Sequence, residues 1–204
     1  VVGQADGAVR RAGVHGLADL PQGATVGTSS VRRRAQLLHA RPDLRIIEFR
    51  GNVDTRLEKV AAGAVDAAVL AVAGLIRLGR AERITAILTP QEMLPAAAQG
   101  AIAIETRADD DATAARLAPL NDAVTGCCVT AERALLAALD GSCRTPIAAL
   151  AQLLGKTLVL EAMILRPDGS ARFCVERRGD ADTAAALGRD AGDELRARAG
   201  ADLL

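Results

Sequence analysis

Three apolar runs of strand length, ATVG, LRIIEF and VDAAVLAV, are each followed by a polar turn and a stretch of helical pattern. That alternation restricts the fold more than any other feature. Strand–helix–strand units with short connections lie parallel, because the return path runs through the helix, and the helices cover the sheet on both faces. Residues 24–30 read as a strand running into a polar turn. A helix over residues 31–40 follows and is closed by Pro42, since proline disfavours the helical conformation in its predecessor. Residues 44–49 form the next strand, and Arg50, Gly51 and Asn52 turn the chain. Asn52 or Asp54 caps a helix that runs to Ala62 and ends at Gly63. Residues 65–72 are a buried strand, and residues 74–78 a short helix. Residues 84–90 and 100–107 are expected as further strands, joined through a segment between Pro95 and Gly100 that can serve as a crossover or hinge.

The rhythm then changes. Residues 112–139 are helical in pattern, broken near Pro119 and recapped near Asn121 and Asp122. Strands follow at residues 147–153, 157–165 and 171–176, with Pro167, Asp168 and Gly169 turning the last two. An amphipathic helix over residues 182–198 closes the chain. Runs of strands followed by a helix point to a separate small α+β domain from about Asn121 onward. The expected fold class is therefore α/β with a mixed, mostly parallel sheet, followed by a small α+β domain.

Composition narrows the chemistry. Lys+Arg and Asp+Glu both total 25 in 204 residues, so net charge gives no general attraction to nucleic acid or anionic membranes. Phe49 and Phe173 are the only aromatic residues, leaving almost nothing on which bases could stack. Neither nucleic acid nor membrane is an expected partner; the longest apolar run, residues 67–76, falls far short of the ~20 that span a bilayer. Cys127, Cys128, Cys143 and Cys174 show no CxxC spacing and His15 and His39 lie far from them, so no metal site is expected. Nothing demands an oxidising compartment, which makes a cytoplasmic location the expectation. The chain begins VVGQADGAVRR with no initiating methionine, so its natural N-terminus is expected to lie further upstream.

In an open α/β sheet, ligands gather at the carboxyl ends of the strands, where helix N-termini point. Thr28, Ser29 and Ser30 end the first of these strands, and Arg32 and Arg33 fall in the first turn of the next helix. Hydroxyls, free backbone N–H groups and the positive helix end make an anion site there. Arg50 ends the second strand, Arg56 lies one turn into its helix, and Arg77 follows the third strand after Ala73 and Gly74. No phosphate loop of the G-x-x-x-x-G-K-[ST] or G-x-G-x-x-G kind is present. A small molecule rich in carboxylates suits forked guanidiniums best. Elsewhere, GSCRTPI sets the thiol of Cys143 on a small-residue loop beside Arg144, where it is either a cysteine packed within the loop or a nucleophile or attachment point.

Five segments in order, VGTSSVRRRAQLLHARPDL, FRGNVDTRLEKV, DAAVLAVAGLIRLG, LPAAAQGAIAIE and TAERALLAALDGSCRTPIA, resemble the porphobilinogen deaminase (hydroxymethylbilane synthase) family. The resemblance covers nearly the whole chain. It implies a transferase of haem biosynthesis that joins four porphobilinogen units head to tail with loss of ammonia. It also implies a dipyrromethane cofactor held by a thioether to Cys143. Arg32, Arg33, Arg50, Arg56 and Arg77 would bind cofactor and substrate carboxylates, with Thr28 and Ser30 supplying hydroxyls. The implied partners are porphobilinogen and its oligomers, and uroporphyrinogen-III synthase as the next enzyme; the full-length protein is expected to be a monomer.

The family fold has three domains, the first two like periplasmic binding proteins. On that pattern residues 1–96 are an anion-binding α/β domain, residues 97–120 a crossover and a strand returning to domain one, and residues 121–204 the C-terminal domain carrying the cysteine. Most of domain one is expected to be absent here. With it goes the family's lysine–aspartate motif, and no Lys-Asp pair occurs in this sequence, so no catalytic residue is assigned. Turnover by this chain alone is expected to be slight. Ser142 and Ala98 stand where glycine is usual. Two other readings compete: a non-catalytic binding module of the periplasmic type for a small carboxylate, and a nucleic-acid binder with Arg32, Arg33 and Arg34 facing a groove.

Overall fold

The computed structural model describes residues 6–10, 16–142 and 144–200. Its first sheet has five strands in the order β3-β2-β4-β1-β5. They are β1 (Asp6–Arg10), β2 (Thr25–Gly27), β3 (Arg45–Ile47), β4 (Ala67–Ala71) and β5 (Ala86–Leu88). Helices α1 (Val31–Ala40), α2 (Val53–Ala61) and α3 (Val72–Arg77) connect β2, β3, β4 and β5. β2 pairs parallel with β3 and β4, whereas β1 runs antiparallel to β4 and to β5. Four strands therefore point one way and β1 alone is reversed, giving the expected mixed, mostly parallel sheet.

The alternation along β4 explains why that strand is apolar throughout. Val69 faces Val26, Leu37 and Leu44 in one core cluster, while Ala68 and Leu70 face Phe49, Leu57 and Val60 in another. A strand with helices over both faces has no solvent side on which to carry polar residues. Gly27 is needed at a close approach: a Cβ there would lie 2.5 Å from Cγ of the buried Phe49 ring. Asn52, rather than Asp54, caps α2 by accepting from Thr55 N.

A second, antiparallel sheet has the order β6-β7-β8, with β6 (Ile147–Leu154), β7 (Thr157–Leu165) and β8 (Arg172–Asp180). One face is covered by α5 (Ala123–Ala138) and α6 (Ala184–Ala199), which meet in a core of Ala131, Leu135, Leu158, Leu160, Ala191 and Leu195. The helical stretch expected over residues 112–139 forms with its expected break near Pro119: α4 (Asp111–Leu117) and α5 are separated by a 3-10 turn at Ala118–Leu120 and the Asp122 cap. The expected closing helix likewise begins with a 3-10 turn, Ala181–Thr183, before α6.

Three elements differ from the sequence reading. β1 was not anticipated, because five residues with no alternation leave no strand signature. Ala73 and Gly74 lie within α3, which starts directly at the end of β4, instead of forming a turn before Arg77. The strand expected over residues 100–107 does not form, since no neighbour among the described residues completes its ladder; Ile102 is 80% and Ile104 55% exposed.

The two halves meet through a few polar bonds and a small apolar patch. Leu94 packs with Ala148, Leu150 and Met163. Ala149 N donates to Pro95 O (3.0 Å), and His39 Nδ1 lies 2.9 Å from Gly169 O.

Candidate anion site at the carboxyl edge of the first sheet

Because β3, β2 and β4 are adjacent and parallel, the residues that follow them emerge at one edge. Arg32 and Arg33 follow β2, Arg50 and Arg56 follow β3, and Arg77 follows β4 through α3. Arg80, three residues beyond Arg77, pairs with Asp54 in the first turn of α2 at 3.0 Å, which draws the end of α3 towards that helix. Arg33 and Arg56 are near enough for each charge to be felt by the other. Burial lowers the Arg56 pKa, and the Arg33 guanidinium lowers it further.

The hydroxyls named from the sequence hold backbone. Ser30 is the N-cap of α1, its Oγ accepting from Arg33 N at 3.3 Å, and Thr28 Oγ1 accepts from Ser30 N at 3.2 Å. Thr28 is buried and Ser30 half-buried. They shape the turn that presents the arginines, and each hydroxyl keeps a proton to donate.

Arg32 and Arg33 are not free surface cations. Arg32, 6% exposed, donates from Nη1 to Leu94 O at 2.5 Å and from Nη2 to Asp6 Oδ2 at 2.9 Å and Gln99 Oε1 at 3.2 Å. Arg33 donates from Nη1 to Val69 O at 3.2 Å and from Nη2 to Asp6 Oδ1 at 2.5 Å. Its Nε is buried and has no hydrogen-bond partner among the described residues. Burial pushes the Asp6 carboxyl up, but Arg33 and Arg32 together outweigh it, leaving Asp6 below the usual carboxylate range. Burial also dominates at Arg32, whose pKa falls despite Asp6. With Arg32 turned inward, Arg32, Arg33 and Arg34 do not form one continuous exposed basic face of the kind a nucleic-acid groove requires.

The outer arginines are less committed. Arg50 is exposed and, among the described residues, paired with the exposed Glu48 at 2.7 Å, a contact of little net worth in water. Arg56 uses Nε on Gly51 O at 2.8 Å, and no ion pair involves Arg77 among the described residues. The edge thus grades from a buried pair of guanidiniums held by protein acceptors to exposed ones that a ligand could recruit.

Sequence reasoning missed Asp6, Gln99, Gln36 and Glu132. Gln36, one turn beyond Arg32, clamps Leu94 from both sides, accepting from its N at 2.8 Å and donating to its O at 3.0 Å. Glu132 is 2% exposed and accepts from Ala98 N at 2.5 Å and Ala151 N at 2.7 Å, so one carboxylate ties the crossover turn to β6. Burial raises its pKa above the ordinary value, partly offset by the two N–H bonds. Gln36 and Glu132 carry a sequence signal, a polar side chain on an otherwise apolar helical stripe, as Glu132 is between Cys128 and Leu135; Asp6 on a strand and Gln99 in a turn carry none.

Cys143 lies outside the described residues. Its neighbours form a compact turn at the end of α5: Ser142 N donates to Thr145 Oγ1 (3.1 Å) and Arg144 N to Ser142 Oγ (3.2 Å), with Ser142 and Arg144 both exposed. A Cβ on Gly141 would lie 2.5 Å from Ile147 Cδ1 and 2.6 Å from Leu136 Cδ1, so the ends of both side chains would have to move to admit it. Cys128 is buried and Cys127 half-buried with Sγ donating to Ala181 O, consistent with packing. Among the described residues no group of His, Cys, Asp or Glu is arranged to hold a metal ion, and no helix is long and apolar enough to cross a membrane.

Comparison with known proteins places this edge and this loop in a family. The family model for the porphobilinogen deaminase dipyromethane cofactor binding domain matches residues 4–115, and that for the porphobilinogen deaminase C-terminal domain matches residues 127–197. The porphobilinogen deaminase of Paracoccus denitrificans (strain Pd 1222) is 56% identical over 186 residues, 91% of this chain and 59% of its own length. The porphobilinogen deaminases of Nitrobacter winogradskyi and Nitrobacter hamburgensis are each 50% identical over 184 residues, 90% of this chain and 58% of theirs. The chain therefore spans well under two thirds of the length of these curated relatives. With both family models in order and half or more of the aligned residues identical, this chain belongs to the porphobilinogen deaminase family.

Proposed function

We propose that this chain is the carboxylate-binding and cofactor-bearing part of a hydroxymethylbilane synthase, the transferase that condenses porphobilinogen units with loss of ammonia. The observation that carries the reading is the graded row of Arg33, Arg56, Arg50 and Arg77 along one sheet edge, with a buried Arg33 Nε that no atom of the described residues satisfies. Each pyrrole of the substrate brings an acetate and a propionate, so negative charge accumulates as the product grows. Several permanent cations distributed along an edge suit that better than one tight pocket.

The residues present fit a dipyrromethane group. Its carboxylates match forked guanidinium donors, and the buried Arg33 Nε is a donor still lacking an acceptor. Arg33, Arg50, Arg56 and Arg77 would hold it, with Arg32 behind them and Thr28 and Ser30 donating hydroxyl protons. Cys143 would anchor it through a thioether; when bound, the group supplies the primer on which the bilane is built. The small, exposed Ser142 beside it leaves the thiol room to react. On this reading residues 1–96 form the anion-binding domain, 97–120 the crossover and 121–204 the domain carrying the anchor. The site is placed in the cytoplasm, with porphobilinogen as the small-molecule partner.

The test is the intact mass of the 204-residue chain after incubation with porphobilinogen, beside a Cys143→Ser control. An added mass of two linked pyrrole units in the wild type and none in the variant is expected. Bilane release is expected to be slight, because this sequence contains no Lys-Asp pair. A wild-type chain that stays unmodified, or a Cys143→Ser chain that gains the same mass, overturns the assignment of the anchor.

A further inference from the structure

Asp6 owes its position to the reversal of β1. As the first residue of an antiparallel strand it pairs with Ala71, the last residue of β4, and so arrives at the carboxyl edge where the arginines gather. Its side chain is fully buried and both oxygens are used: Oδ2 by Arg32, Oδ1 by Arg33 and by Gln99 Nε2 at 3.3 Å. The two guanidiniums stand in the first turn of α1, which holds no acidic residue of its own, so the helix end and each other's charge both oppose them. Asp6 is the group that offsets this, and it does so from a different strand.

The consequence is orientational. Arg33 is fixed at both terminal nitrogens, by Asp6 and by Val69 O, which leaves its buried Nε as the unsatisfied donor. Arg32 is held at three acceptors and serves as the support behind it. We infer that Asp6 is a positioning residue for carboxylate recognition, acting through Arg33 and Arg32; this rests on the carboxylate-binding reading above. Gln99 joins the same arrangement from the crossover, bonding both Asp6 and Arg32.

Asp6→Asn separates this role from its alternatives by the sign of the effect. Asparagine keeps the size and one acceptor but removes a negative charge. Charge removal alone would tighten binding of an anion, whereas loss of positioning weakens it. A purely structural role would lower stability and leave the affinity of folded molecules unchanged.

Binding is read by calorimetry on the whole chain, with citrate and porphobilinogen as probes, at a temperature where urea unfolding shows the variant folded. Affinity about tenfold weaker for both probes is expected, the usual scale for losing a hydrogen bond to a charged group. Equal or tighter binding overturns the inference. Gln99→Leu removes one support without leaving a buried charge unpaired, and about threefold weaker binding is expected on the same scale. Should Asp6→Asn fail to fold, Gln99→Leu decides, and unchanged affinity in it overturns the inference. A wild type that binds citrate but not porphobilinogen overturns the deaminase reading, and the citrate ratio then decides Asp6. A wild type that binds neither overturns both.

Discussion

Glu132 shows how much one buried carboxylate can organise. Its two oxygens each accept one backbone N–H, from Ala98 and from Ala151, and both donors would be orphaned without it. Ala98 itself has a positive φ of 59°, a backbone region glycine occupies at no cost, and the Glu132 bond is part of what holds it there. Glu132→Gln would present an amide N–H₂ to one of those donors, and at pH 5 the variant should unfold about 1–3 kcal/mol more easily. The pH dependence gives a second reading. Because burial holds the folded Glu132 pKa above its ordinary 4.5, its stabilisation is complete below that value and declines as pH rises through the folded one. The urea midpoints of wild type and variant should therefore converge as pH rises from the ordinary value through the folded one; parallel curves would contradict the assignment. Asp6 has the opposite sign: its depressed pKa means stability present at neutral pH and lost only in acid. Composition never singled out either residue, because a lone acid has no pattern and its role depends on what the fold sets beside it.

Helices α5 and α6 show the same dependence at the level of whole elements. Both were legible as helices from their spacing, and a cap near Asn121 and Asp122 from its position before the apolar run; the structure selects Asp122. Their separation was not legible. Gly188 and Gly192 lie one turn apart on α6 and let it approach α5 until backbone nearly meets side chain. A Cβ on Gly192 would lie 2.6 Å from Ala138 Cβ, and one on Gly188 would meet the Ala131 carbonyl oxygen and lie 2.8 Å from Ala134 Cβ. Alanine is the better helix former by about 1 kcal/mol, so propensity alone predicts that Gly188→Ala stabilises. The contact predicts the reverse, since a carbonyl oxygen within a helix cannot yield, and overpacking of that kind typically costs about 1–3 kcal/mol. Net destabilisation in urea unfolding is expected; a gain would mean that α6 slides away from α5 at little cost.

The whole molecule holds two sheets with separate cores, joined at Leu94, at the Glu132 clamp and at the His39–Gly169 contact. Between them, residues 101–107 carry Ile102 and Ile104 exposed and unladdered, beside Leu120 at 68% exposure. Clustered apolar exposure favours self-association. Sedimentation of this chain should show association rising with concentration, and Ile102→Lys with Ile104→Lys should suppress it without altering the unfolding midpoint. If the double variant associates as strongly as the wild type, the contact lies elsewhere. The sequence by itself determined the strand–helix alternation, the mostly parallel first sheet, the second small sheet with its helices, and the family. All of these are written in local periodicity or in contiguous segments. Tertiary structure alone decided that β1 is a strand and reversed, that Asp6 thereby meets Arg32 and Arg33, and that Arg32 is a buried support. It also decided that residues 100–107 form no ladder. Strand pairing and burial depend on neighbours distant along the chain, and local pattern carries no record of which those neighbours will be.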